Sequence, residues 1–90
     1  MERRIGWVTH YYNNIGVAVL DLQDALEVGE QIHITGHTTD FIQTVSSMEV
    51  DHEKVQAVAA GADVALKVDE RVREGDAVYK VRGEPARSRC

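Results

Sequence analysis

Punctuation restricts this fold more than any other feature of the sequence. Asn13-Asn14, Gly29, Gly36, Gly61 and Gly75 separate short runs rich in β-branched and aromatic residues. Such runs at a spacing of about 8–12 residues suit a small closed barrel. Ile5 to Tyr12 has strand composition, and Asn13-Asn14 supplies the left-handed conformations a tight turn needs. Ile15 to Leu22 is apolar at nearly every position, which predicts a strand covered on both faces or wrapped tightly into a barrel. After a turn at Gly29, Gln31 to Thr35 alternates, with Ile32 and Ile34 inward and His33 and Thr35 outward.

The later segments obey the same logic with two irregularities. Thr39 to Val50 changes phase, since Phe41 and Val45 share one parity and Met48 and Val50 the other. A bulge near Ser46-Ser47 would reconcile them within one strand. Glu53 to Ala60 carries Val55, Val58 and Ala59 at helical spacing between a capping Asp51 and a terminating Gly61, so helix and irregular loop both fit. Ala62 to Val68 alternates again, and Asp76 to Arg82 forms a last short strand. The expected architecture is therefore all-β, a small closed barrel of about six strands over residues 1–83, with a flexible tail at 84–90.

Ninety residues hold one such domain, with a modest core. There is no Gly-Lys dipeptide and no G-x-G-x-x-G, which removes the phosphate-cradling loops and with them nucleotide binding and hydrolysis. No apolar run reaches transmembrane length and no apolar segment comes after Met-Glu-Arg-Arg, so no membrane association is expected. Cys90 is the single cysteine and cannot form an intrachain disulfide, consistent with a cytoplasmic setting.

Charge is distributed unevenly. Ile5 through Glu53 contains no Lys or Arg but eight acids. A protein that tracks a phosphate backbone needs several bases close together, and the first half cannot provide them. The candidate anion-binding face is therefore Arg4, Lys67, Lys80 and Arg82, with Lys80 and Arg82 on the last strand beside Arg3 and Arg4 if the barrel closes.

Catalytic chemistry finds little support. His33 and His37 are four residues apart, but along a strand that spacing is roughly 13 Å, too far for one zinc ion. No metal or cofactor is expected. Ser46 and Ser47 lack the Gly-x-Ser-x-Gly turn that exposes a nucleophile. His37, Thr38 and Asp40 form a polar loop cluster that can be read as an acid–base pair or as turn chemistry satisfying local N–H groups. Trp7 and Phe41 match the apolar parity of their strands and read as core, whereas Tyr11 and Tyr12 point to opposite faces. These readings describe a binding module, not an enzyme.

Read together, Gly6-Trp7-Val8-Thr9-His10-Tyr11-Tyr12, Leu26-Glu27-Val28-Gly29-Glu30-Gln31-Ile32 and Val72-Arg73-Glu74-Gly75-Asp76-Ala77-Val78 resemble domain II of the elongation factor Tu-type translational GTPases. They resemble more closely the short stand-alone translation elongation factor-like proteins. The resemblance implies a six-stranded closed Greek-key barrel and tips Glu53 to Ala60 toward loop. It implies an accessory role in translation, with RNA or the ribosome as partner and no GTPase domain. The arginine-glycine phrase of that family is replaced here by Ala18-Val19-Leu20-Asp21, so the contacts to tRNA ends are not carried over. Similar barrels also resemble accessory domains of collagenase-like peptidases. The alternative is therefore a protein–protein interaction module that pairs with a separate enzyme of that kind.

Overall fold

A computed structural model describes residues 2–81. Arg82 and the tail at 84–90 lie outside the described residues. Ten strands succeed one another: β1 (Glu2–Tyr12), β2 (Val17–Leu22), β3 (Leu26–Glu27), β4 (Gln31–Thr35) and β5 (Asp40–Thr44), then β6 (Met48–Val50), β7 (Glu53–Val55), β8 (Ala57–Val58), β9 (Asp63–Lys67) and β10 (Ala77–Val81). The described residues contain no helix. The all-β expectation therefore holds, while the count of about six strands is too low.

The extra strands have identifiable causes. The phase change in Thr39 to Val50 is a break and not a bulge. β5 pairs with β4 at one end of the sheet, and β6 pairs with β9 and β7 at the other, so Val45 to Ser47 carries the chain across. Glu53 to Ala60 is neither helix nor irregular loop. Asp51 does not cap a helix: with His52 it forms a two-residue turn, at φ of 53° and 68°, that reverses β6 into β7. Positive φ at both central residues matches the right-handed twist of a hairpin. Gln56 then delivers the chain to β8, which pairs with β3.

Eight strands form one antiparallel sheet in the order β5-β4-β10-β1-β2-β9-β6-β7. The order is linear, so the ladder does not close, and the closed Greek-key barrel is corrected to a curled open sheet. A side chain spans part of the gap. Gln43, on edge strand β5 and 4% exposed, donates its amide to the Lys67 carbonyl at 2.9 Å and accepts from the Asp69 N–H at 2.7 Å. Backbone groups beyond the end of β9 are thus satisfied by one amide where a closed barrel would use another strand.

β1 lies at the centre of the sheet and is irregular. Its pairing shifts between Arg4 and Gly6 against β10 and between Val8 and His10 against β2. Each shift inserts a residue and reverses the parity of the positions after it. Ile5 and Val8 both point into the core as a result, and Trp7 does not. The reading of Trp7 as core is corrected: it pairs with Ala77 and Asp21 on the outer surface, with the Arg4 guanidinium 5.7 Å from its ring. Phe41 packs against the core as a half-buried neighbour. A Cβ at Gly6 would collide with the Asp21 carbonyl oxygen, so only glycine fits where β1 and β2 approach.

The inner face is mainly apolar, with Gln43 of β5 and Lys80 of β10 as polar exceptions. Ala18, Leu20 and Leu22 of β2 alternate with half-buried Val17, Val19 and Asp21. Ile32 and Ile34 of β4, Val64 and Leu66 of β9, and Val78 of β10 join them. Gly29, at φ 99°, makes the turn before β4 as the sequence requires. No described helix is long and apolar enough to cross a membrane.

Candidate functional site

The outer surface of the sheet divides into two regions of opposite character. The first covers β5, β4, β10 and the start of β1. Its outward row includes Asp40 and Ile42 of β5, His33 of β4, Tyr79 of β10 and Arg4 of β1, as the register dictates. His33 Nε2 lies 2.5 Å from Asp40 Oδ1, and its ring centroid is 6.4 Å from that of Tyr79. Asp40 thus pairs with His33 and not with His37, which corrects the acid–base pair drawn from the sequence. In the register, His33 opposes Ile42 and Asp40 is its diagonal neighbour, a relation that strand pairing creates and linear spacing hides. His37 and Thr38 stand exposed in the bend after Gly36, and the Gly36 N–H bonds the Thr39 carbonyl at 2.7 Å.

The bases do not form one face. Arg3 opposes Lys80 and Arg4 opposes Tyr79, so the first and last described strands are neighbours as expected. Alternation then sends Arg4 and Lys80 to different sides of the sheet. Arg3 pairs with Asp24 at 3.1 Å, and Lys80 with Glu30 at 3.4 Å. Lys67 sits two strands away on β9, its Nζ donating to the Ile15 carbonyl at 3.3 Å. The anion-binding set Arg4, Lys67 and Lys80 is therefore dispersed and largely occupied by the protein's own oxygens.

The second region covers β2, β9 and β6 and holds a groove of about 600 Å³. Its floor is Val17, Val19 and Ala65, and Tyr12 and Ile15 rise from the turn between β1 and β2. Tyr12 is 49% exposed and Ile15 60%, which are large values for side chains of this size in a domain this small. Ser47, Glu49, Asp51, His52, Asp63 and Lys67 complete the lining. Glu49, Asp51 and Asp63 make no ion pair with any described residue. Asp63 also lies directly opposite Asp21 across the β2–β9 ladder, where like charges repel. Asp51 and His52, both at positive φ, stand at the rim in a turn that ordinarily selects Asn-Gly.

The sequence showed Val17 and Val19 as apolar and placed them in a strand covered on both faces or wrapped tightly into a barrel. The open groove is the feature that reading missed. Its signal was the absence of any Lys or Arg from Ile5 to Glu53, the stretch that contributes Glu49 and Asp51 to the rim. Among the described residues, no group of three or more His, Cys, Asp or Glu side chains gathers as a metal site would.

Comparison with known proteins gives a consistent direction. No model of a known protein family matches the chain. An uncharacterized protease of Methanocaldococcus jannaschii is 38% identical over 76 residues, which is 83% of this chain and 19% of that protein. A collagenase of Porphyromonas gingivalis is 31% identical over 78 residues, or 84% of this chain and 19% of the collagenase. The chain thus spans about a fifth of the length of the curated relatives it matches. Among solved structures, the C-terminal domain of a Geobacillus thermoleovorans protein described as a U32 peptidase superposes with a TM-score of 0.83 at 17% identity, covering 89% of this chain and 93% of that one. Its selenomethionine variant superposes at 0.80, with 16% identity over 84% of this chain and 96% of that one.

The fold of this chain is that of the peptidase C-terminal domain. These relatives overturn the resemblance to elongation factor-like proteins and the translational role drawn from it, and they lend no support to an RNA or ribosome partner. The misleading phrases, such as Leu26 to Ile32, encode a turn at Gly29 between strands, a demand of local geometry that unrelated β domains share.

Proposed function

We propose that this chain is a non-catalytic recognition module that works beside a U32-type peptidase catalytic unit, holding that unit or its protein substrate through an outer face of the sheet. The observation that carries this reading is the pattern of similarity. Nearly the whole chain matches one fifth of two proteins named as a protease and a collagenase, and its fold is that of a peptidase C-terminal domain. The bulk of each relative, in which no residue matches this chain, is left to carry the hydrolysis.

The surface chemistry supports a protein partner. A half-exposed tyrosine and isoleucine above an aliphatic floor provide a desolvation surface, and unpaired acids around it provide orientation. The same acids repel a phosphate backbone.

The test uses the full chain and the part of the Porphyromonas gingivalis collagenase outside the matching fifth, purified separately. Calorimetry measures their association, and cleavage of heat-unfolded collagen measures activity. The expected results are no cleavage by the chain alone, and association with the catalytic part or faster cleavage when both are present. Cleavage by the chain alone would refute the non-catalytic reading. Neither association nor faster cleavage would refute the pairing.

A further inference from the structure

Building on the recognition-module reading, we infer that the groove across β2, β9 and β6 receives an extended peptide segment with an apolar anchor flanked by Lys or Arg. The anchor side chains enter over Val17, Val19 and Ala65 between Tyr12 and Ile15. The flanking cations meet Glu49, Asp51 and Asp63, with Asp21 behind Asp63.

Two independent features select a basic occupant. The rim acids make no ion pair with any described residue, so a cation finds them uncommitted. The Lys67 ammonium, which also lines the groove, donates to the Ile15 carbonyl and forms no ion pair with these acids. Lys54 opposes Glu49 in the β6–β7 register, yet it forms no ion pair with it. Asp21 and Asp63 face each other across adjacent strands, a repulsion that a bound cation relieves. Apolar burial supplies the affinity, and the acids supply direction and selectivity.

Fluorescence anisotropy on the full chain tests this with an amidated, fluorescein-labelled hexapeptide that has a leucine–phenylalanine centre and two lysines on each side. Two control peptides replace the lysines by glutamates or the central pair by serines. The lysine peptide should bind, the controls at least tenfold more weakly, and its affinity should fall several-fold between about 0.05 and 0.2 M salt. Asp51→Asn with Asp63→Asn should weaken binding about threefold to tenfold. Asn tolerates the left-handed conformation at position 51, so the turn survives. Tyr12→Ser with Ile15→Ser should weaken it about tenfold or more. Both side chains are exposed, so these variants fold.

Equal binding of lysine and glutamate peptides, or unchanged affinity in both double variants, overturns the inference. So does a concentration-dependent dimer that disappears in the Tyr12→Ser, Ile15→Ser variant while no peptide binds, which would make a second copy the occupant. The two readings fail separately. A chain that associates with the catalytic part and ignores the lysine peptide loses only the groove assignment. A chain that binds the peptide through these residues and ignores the catalytic part loses only the pairing.

Discussion

The two outer regions of this sheet are built from the same alternation of side chains and resolve their charges in opposite ways. Around β5, β4, β10 and the start of β1, Asp40 meets His33 and Arg4 lies over Trp7, while on the other side of the same strands Glu30 meets Lys80 and Asp24 meets Arg3. Around β2, β9 and β6, Asp21 faces Asp63, and Glu49 and Asp51 stand without an ionic partner among the described residues. A folded domain gains nothing from placing two acids opposite each other above an uncovered aliphatic floor. The contrast teaches that charge alone does not mark a working surface in this molecule. The satisfied charges belong to the domain's own structure, and the unpaired ones are those that the proposed peptide would meet.

The comparison can be broken most severely where the regions join. Gly6 opposes Leu22 of β2 and Val78 of β10, with no space for a methyl group beside the Asp21 carbonyl. Gly6→Ala should cost about 3 kcal/mol, read as a lowered urea midpoint, and should erode both regions together. Protection from hydrogen exchange lost in only one of them would show that they are independent units.

Next in size is the amide that bridges the open edge. Gln43→Ala strips partners from the Lys67 carbonyl and the Asp69 N–H and leaves a small cavity, at a cost of about 2 kcal/mol. Exchange should rise first at Asp69 and along β5. A loss below a few tenths of a kcal/mol would mean that water replaces the amide without penalty.

The two smallest effects carry opposite signs, and so sharpen the comparison most. Asp40→Asn removes one member of a pair on the satisfied side. Because Asp40 is 77% exposed, the loss should be about 0.5 kcal/mol or less. Asp63→Asn relieves the repulsion from Asp21 and should raise stability by a few tenths of a kcal/mol at low salt, with the gain shrinking as salt is added. Chemical denaturation of both variants at two ionic strengths reads the signs. Destabilisation by both would put the contrast between the regions in error.

Much of the fold was legible where one face is apolar and the other polar. Ile32 and Ile34 against His33 and Thr35, or Val64 and Leu66 against Asp63 and Lys67, define strand and inward face unaided. Legibility failed wherever a single position decides what many others do. The shift between Arg4 and Gly6 turns Trp7 outward, and no local pattern reveals it. Gln43 is polar, so a reading that seeks apolar alternation passes over it although it is among the most buried side chains. The partnership of His33 with Asp40 depends on the register of β4 and β5, which linear spacing does not contain. The groove was hidden because Val17 and Val19 look the same in sequence whether covered or open.

The adjacency of Glu2 and Val81 has a consequence in time. β10 lies between β4 and β1, so the ladder that joins β5 and β4 to the rest of the sheet contains the last described strand to be synthesised. The β4–β5 hairpin pairs by itself but has no ladder to β1 until β10 arrives, and until then Ile32, Ile34 and one edge of β1 lack their strand partners. Joining the two halves of the sheet is therefore a late step that needs β10, and the high sequence separation of its contacts slows it.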